Sequence, residues 1–246
     1  MRSLLPPGVG EPDLESVYAF PDIPAGEVFL RGNFVSSVDG AIEVDGRSGP
    51  LGGTGDKRIF GLLRGLADVV LVGAGTARAE RYGPAQLPVD RQRSRIAAGR
   101  RAVPPIAVVT AHGIDAGLRL LEFRAGAPKP LVLTTEAVVA VAPEPVRAAA
   151  EFVACGTETV DLPAAVAALQ ARNLTRIVCE GGPRLITDLI REGLLDELCL
   201  TLAPQLAGPG RAGMSSGEPW PQPRGLDLAG VLEQDGDLFL RYRRRP

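Results

Sequence analysis

Apolar and polar positions along the chain fall into two alternating kinds of run. Val69-Val70-Leu71-Val72, Ile106-Ala107-Val108-Val109-Thr110, Leu131-Val132-Leu133-Thr134 and Ile177-Val178-Cys179 are short and continuously apolar. Runs of that length predict strands buried on both faces, as in the interior of a parallel sheet. Between them, apolar residues recur at helical spacing. Ile59, Phe60, Leu63 and Leu66 predict a helix over about 56–67; Leu162, Val166 and Leu169 predict one over 162–172. Further helices are expected at 143–150 and from Pro183 to about Glu192, and further strands at 29–38, 151–154 and 196–203. Leu226 to Val231 and Leu238 to Tyr242 flank Asp235-Gly236, a hairpin signal. The fold class predicted is therefore α/β: a mostly parallel central sheet flanked by helices, with a C-terminal antiparallel hairpin.

The remaining segments carry turn chemistry. Residues 1–27 are rich in Pro and Gly and read as an extended arm, leaving 28–246 as a single domain. Residues 81–104 are polar, arginine-rich and bounded by proline, and read as a long loop that is either mobile or functional. Residues 205–224 form a second such loop and hold the only tryptophan, Trp220.

Composition narrows the function. The chain has 246 residues, 45% hydrophobic, and a net charge of −2, which argues against a general nucleic-acid or membrane binder. All but Lys57 and Lys129 of the 27 basic residues are arginine, so a single arginine carries little weight. Cys155, Cys179 and Cys199 have no metal-ligand spacing and no even count for a disulfide framework; a reducing cytoplasm fits them. Neither a signal peptide nor a membrane span is expected, because no apolar run is long enough. One histidine, His112, leaves no room for a His-rich metal site; it follows a strand and reads as a surface residue. Nucleophile-elbow and Walker motifs are absent.

Two strand–glycine–helix junctions remain, at Val72-Gly73-Ala74-Gly75-Thr76 and at Cys179-Glu180-Gly181-Gly182-Pro183-Arg184-Leu185-Ile186. Glycine admits close approach to the backbone, and a helix start presents unpaired N–H groups that suit phosphate. In a parallel sheet both junctions lie at the carboxyl edge, where ligands bind. Two of them in one small domain suggest a ligand with phosphates spread along its length, such as a dinucleotide. A Rossmann fingerprint is incomplete, since Arg78 stands where the third glycine belongs. Thr76, Arg78 and Arg81 could meet a 2′-phosphate, which favours NADP over NAD; solvated loop arginines are the plain alternative. Asp39, in Ser36-Ser37-Val38-Asp39-Gly40, is either a turn residue or a polar anchor in the cleft. Arg64 reads by default as a surface charge. Glu180, a carboxylate at a strand end beside two glycines, either faces a ligand or caps a neighbouring N–H.

The ordered set of motifs resembles one family. Ser37-Val38-Asp39-Gly40, Leu63-Arg64-Gly65-Leu66-Ala67-Asp68, Gly73 to Thr76, Glu180 to Pro183, Gly193-Leu194-Leu195-Asp196-Glu197 and Ala203-Pro204-Gln205-Leu206-Ala207-Gly208 are similar to the riboflavin-biosynthesis pyrimidine reductases. These form the reductase half of a bifunctional deaminase-reductase, and here the deaminase half is missing. The resemblance covers roughly 28–243. It implies a dihydrofolate-reductase-like fold, NADPH as cofactor, a homodimer, and reduction of a 5-amino-6-(5-phosphoribosylamino)uracil by hydride transfer to its ribosylamino imine. It puts Ser36, Gly73, Ala74, Gly75, Thr76, Glu80, Gly181, Gly182, Pro183, Arg184, Leu185 and Ile186 with the cofactor. Ser48, Arg64 and Glu180 fall with the substrate, and Asp39 beside the nicotinamide–substrate junction; Asp39, Glu180 or water is then expected to manage the proton. Two departures stand out. Ala41 replaces the lysine usual after Asp-Gly, and Glu80-Arg81-Tyr82-Gly83-Pro84-Ala85-Gln86-Leu87 replaces the usual Asp-x-Pro-x-Leu-x-x-Arg. Reduction of dihydrofolate or another pteridine, and NADP binding without catalysis, are the alternatives.

Overall fold

The computed structural model describes residues 1–245. One ten-stranded sheet runs through them, in the order β1-β9-β10-β8-β2-β7-β3-β4-β5-β6. Its strands are β1 (Arg2–Leu5), β2 (Phe29–Ser37), β3 (Val69–Gly73), β4 (Ile106–Val109), β5 (Leu131–Thr134), β6 (Glu151–Ala154), β7 (Arg176–Cys179), β8 (Glu197–Ala203), β9 (Leu226–Gln234) and β10 (Asp237–Arg244). From β8 to β6 every neighbouring pair is parallel; β10 pairs antiparallel with β8 and β9, and β1 with β9. The α/β class with its terminal hairpin is the one the hydrophobic pattern predicts.

The helices are α1 (Leu14–Val17), α2 (Thr54–Leu66), α3 (Ala74–Ala79), α4 (Val89–Ala97), α5 (Glu136–Val141), α6 (Glu144–Ala149), α7 (Leu162–Gln170) and α8 (Pro183–Arg191). Alternation along the strands divides the core between the two faces of the sheet. Leu71, Ile177 and Cys179 pack against Leu169 of α7 and Ile186 and Leu189 of α8. Val178 and Cys199 pack on the other face, against Ile59, Leu62 and Leu63 of α2. Val70 and Val72 meet Ala74 and Ala77 of α3 there.

Two segments differ from expectation. Residues 1–27 are not simply extended: they carry β1 and α1, and Leu14 and Tyr18 are buried. Nor is 81–104 a free loop. It contains α4, and buries Ala85, Leu87 and Val103 against β3 and β4. The buried Arg95 of α4 donates to the carbonyls of Gly65, Ala67 and Arg101, satisfying acceptors left by the end of α2. Sequence periodicity missed α4 because its face is made by an arginine stem rather than by aliphatic residues.

Candidate active site

β7 lies between β2 and β3, so the β3–α3 and β7–α8 junctions meet at one end of the sheet. Gly73 N–H donates to Gly181 O at 2.8 Å. A Cβ on Gly182 would lie 2.4 Å from Thr76 Oγ1, so any larger residue there would displace the threonine side chain where the two turns meet. Gly181 has φ +100°, which disfavours any side chain. Gly182 caps α8 with no side-chain hydrogen bond, which leaves the first N–H groups of that helix open.

Above this contact opens a cavity of about 490 Å³. Asn33 and Phe34 of β2 line it, with Ser48, the α2 side chains Asp56, Phe60 and Arg64, Thr76 of α3, Glu80 just past its end, residues of the 81–86 turn and Glu180 to Pro183. Asp56, Phe60 and Arg64 are four residues apart and share one stripe of α2.

At the centre lies a three-residue polar cluster. Arg64 Nε and Nη2 each donate to a different oxygen of Glu180, at 2.7 Å. Tyr82 Oη donates to Glu180 Oε2 at 2.6 Å. The Glu180 side chain is 2% exposed, that of Arg64 17%. A bidentate guanidinium–carboxylate pair is among the strongest charged hydrogen-bond geometries. Burial opposes the Arg64 charge, but the Glu180 carboxylate outweighs it and holds the guanidinium above its ordinary pKa. Burial, then Glu180, push the Tyr82 hydroxyl well above its ordinary value, so it stays a donor. The Arg64 guanidinium also stacks over Phe60, 4.3 Å from the ring centroid.

The residues singled out from sequence fall into three groups. Ser48, Arg64, Thr76, Glu80, Glu180, Gly181, Gly182 and Pro183 line the cavity, and Arg81 does too. Ser48 N–H donates to Glu80 at 2.7 Å, tying the 48 loop to α3. Gly73, Ala74 and Gly75 sit just behind, shaping the turn. The others are engaged elsewhere. Leu185 and Ile186 are core residues, and Ile186 N–H already donates to Gly182 O. Arg184 and Arg78 are exposed. Ser36 donates its hydroxyl to Ser37 O. Asp39 is exposed and does not line the cavity; it accepts from Ser37 Oγ and from the N–H groups of Ala207 and Gly208. Those bonds, the serine's first, pull its pKa down to about 2. Its geometry is that of a loop anchor. Sequence reasoning missed Tyr82, Phe60, Asn33 and Asp56; only for Tyr82 was there a signal, the altered stretch after Thr76.

A largely parallel α/β sheet with two glycine turns meeting at one end below a polar cleft has the layout in which α/β proteins bind a ligand at the carboxyl edge of the sheet. The RibD C-terminal domain family matches residues 28–240, and the chain belongs to it. This is the riboflavin-biosynthesis pyrimidine reductase family. The chain is 29% identical, over 72% of its length and 80% of the relative's, to the 2,5-diamino-6-ribosylamino-4(3H)-pyrimidinone 5′-phosphate reductase of Archaeoglobus fulgidus. It superposes on a pyrimidine reductase-like protein of Corynebacterium diphtheriae with a TM-score of 0.81 at 28% identity, covering 95% of this chain and 98% of that one. Riboflavin Biosynthesis Reductase Rib7 of Saccharomyces cerevisiae shares the fold, with a TM-score of 0.66 at 18% identity over 95% and 99% of the two chains.

Proposed function

We propose that this oxidoreductase uses NADPH to reduce the ribosylamino group of a phosphorylated aminopyrimidine of riboflavin biosynthesis. The observation that carries the proposal is the contact of two glycine turns beneath a cleft walled by Arg64, Glu180 and Tyr82. The residues fit a dinucleotide. A Cβ at Gly182 would press on the Thr76 hydroxyl, and the N–H groups of the first turn of α8 that lack a side-chain cap suit a phosphate. Arg81, on the cavity rim, suits the 2′-phosphate that separates NADP from NAD.

The nicotinamide, when bound, supplies the hydride. The protein's part is to bind and orient. Both Glu180 oxygens are engaged by donors, so Glu180 acts as a rigid acceptor wall rather than a proton source. Asp39, outside the cavity, serves the fold. Proton delivery then falls to water admitted by the open cleft.

The direct test follows nicotinamide absorbance with the aminopyrimidine phosphate. No turnover there, with turnover of dihydrofolate, would replace the assignment by a pteridine reductase; tight NADPH binding without either would make the chain a binding protein. A homodimer belongs to the same proposal, and a monomer by sedimentation at micromolar concentration would remove that part. No helix among the described residues is long and apolar enough to cross a membrane, and a cytoplasmic location is proposed from the reduced cysteines.

A further inference from the structure

Two walls of the cavity meet at one hydrogen bond. The connection between β2 and α2 contributes Ile42, Glu43, Gly46 and Ser48 to one wall; the end of α3 and the turn after it form the other. The Ser48 N–H donates to Glu80 Oε1 at 2.7 Å. Among the described residues no other hydrogen bond joins 42–51 to residues 74–86. The two sides of this bond are unequally firm. Glu80 is set by the helix end. Its N–H donates to Thr76 O, that of Arg81 to Arg78 O and that of Tyr82 to Ala77 O, the closing pattern of a helix followed by one left-handed residue. Arg81 is that residue, with φ +53°. Tyr82 then packs beside Ala77 and reaches Glu180. The 42–51 turn is held mainly at its ends. Ile42 N–H donates to Ala212 O, and Leu51 is buried against Val35 and Ala203. Between them Asp45, Gly46 and Arg47 are exposed, and the Asp45–Arg211 ion pair, at 3.3 Å, is of the solvent-screened kind that holds weakly. The Glu80 carboxylate therefore fixes the middle of the turn against the cavity. Ser48 lines that cavity, and its hydroxyl makes no hydrogen bond to the described protein.

We infer that Glu80 is a positioning residue for the substrate: through the Ser48 N–H it holds the 42–51 turn so that the free Ser48 hydroxyl meets the bound pyrimidine. This role rests on the reductase reading above, and it sets Glu80 on the substrate side of the cleft rather than with the cofactor. The physical reason is geometric. A hydroxyl contributes to binding only where its partner atom stands within hydrogen-bond reach, and a turn fixed at its ends alone leaves its middle free to drift beyond that reach. Only an acceptor is needed at position 80, because the backbone N–H is the donor. Glutamine supplies one and alanine does not.

Amide hydrogen exchange reads the tie without turnover. The Ser48 N–H should exchange at least about tenfold faster in Glu80→Ala than in the native protein, and close to the native rate in Glu80→Gln. Native-rate exchange in Glu80→Ala would overturn the inference. Steady-state rates with NADPH read the consequence. Glu80→Ala should raise the KM of the aminopyrimidine phosphate by about tenfold or more and leave kcat within about threefold; Glu80→Gln should restore the KM. Ser48→Ala, which keeps the N–H but not the hydroxyl, should raise the same KM without hastening exchange at that amide. Since both changes act through one hydroxyl, Glu80→Ala added to Ser48→Ala should cost no more than about threefold further. Additive defects, a rise confined to the KM of NADPH, or equal defects in Glu80→Ala and Glu80→Gln would each overturn the positioning role while leaving the reductase reading in place. That reading fails by a different sign, the absence of pyrimidine turnover in the native protein, and exchange at Ser48 is read independently of it.

Discussion

At the scale of single residues the site turns on which groups are already satisfied. Glu180 accepts three hydrogen bonds from Arg64 and Tyr82. Its strand-end position beside two glycines marked it in the sequence as a group that either faces a ligand or caps a neighbouring N–H; in the structure it lines the cavity and accepts from two side chains. Arg64 was less legible, because adjacency to Leu63 suggested a surface charge; its phase with Phe60 and Asp56 turns it into the cavity instead. Removing either donor is informative. Tyr82→Phe should lower kcat/KM by about tenfold or more and cost roughly 1.5–3 kcal/mol of stability, the usual worth of a hydrogen bond to a charged group. Steady-state rates and a urea titration measure both, and unchanged kinetics would detach Tyr82 from function. Arg64→Ala strands a buried carboxylate and should cost about 3 kcal/mol or more. A melting temperature equal to that of the native protein would contradict the ion pair.

At the scale of elements, the proposed function rests on two junctions. Each taken singly is an ordinary strand–turn–helix connection; only their contact makes a cradle. Gly182→Val puts a branched side chain where Thr76 Oγ1 already stands 2.4 Å from the ideal Cβ position. We expect NADPH affinity to fall by about 30-fold or more, near 2 kcal/mol, with the far-ultraviolet spectrum retained. Unchanged affinity would move the cofactor elsewhere. The 38–42 turn is organised from outside as well. Asp39 holds Ala207 and Gly208, and the N–H groups of Val38 and Ile42 donate to Gln205 O and Ala212 O. With its pKa near 2, this anchor persists as pH falls until it is protonated there.

At the scale of the molecule, a buried charge network ties the N-terminal segment to the sheet. Arg31 lies 2.6 Å from Glu197, both side chains fully buried, and Arg241 donates to the same carboxylate at 2.9 Å. Arg31 and Arg241 also donate to the carbonyls of Tyr18 and Val17, and Arg31 stacks on Phe20. Burial would raise the Glu197 pKa, but Arg31 and Arg241 outweigh it and hold it below the ordinary value. Its contribution to stability is therefore full above about pH 4.3, the unfolded value, and lost as pH falls through the folded one. Glu197→Gln should cost about 3 kcal/mol at pH 7, and the difference from the native protein should shrink under acid. A difference independent of pH would contradict this account. The three cysteines are free and buried, and burial pushes Cys179 and Cys199 up to about 12. A thiol reagent at pH 8 should label none in the native protein and all three after denaturation.

The sequence by itself determined the elements of the central sheet. Runs such as Val69–Val72 and Ile177–Cys179 are too short and too apolar to be anything but buried strands beside helices with one apolar face. It also determined the two glycine junctions, because turn chemistry is local. Tertiary structure alone decided how these parts meet. The pairing of β1 with β9, the Tyr82–Glu180 bond across 98 residues and the Asp56–Thr201 bond across 145 depend on sheet order and register. Local spacing carries no record of such contacts. The Tyr82–Glu180 and Asp56–Thr201 bonds pair polar groups that burial would otherwise leave costly.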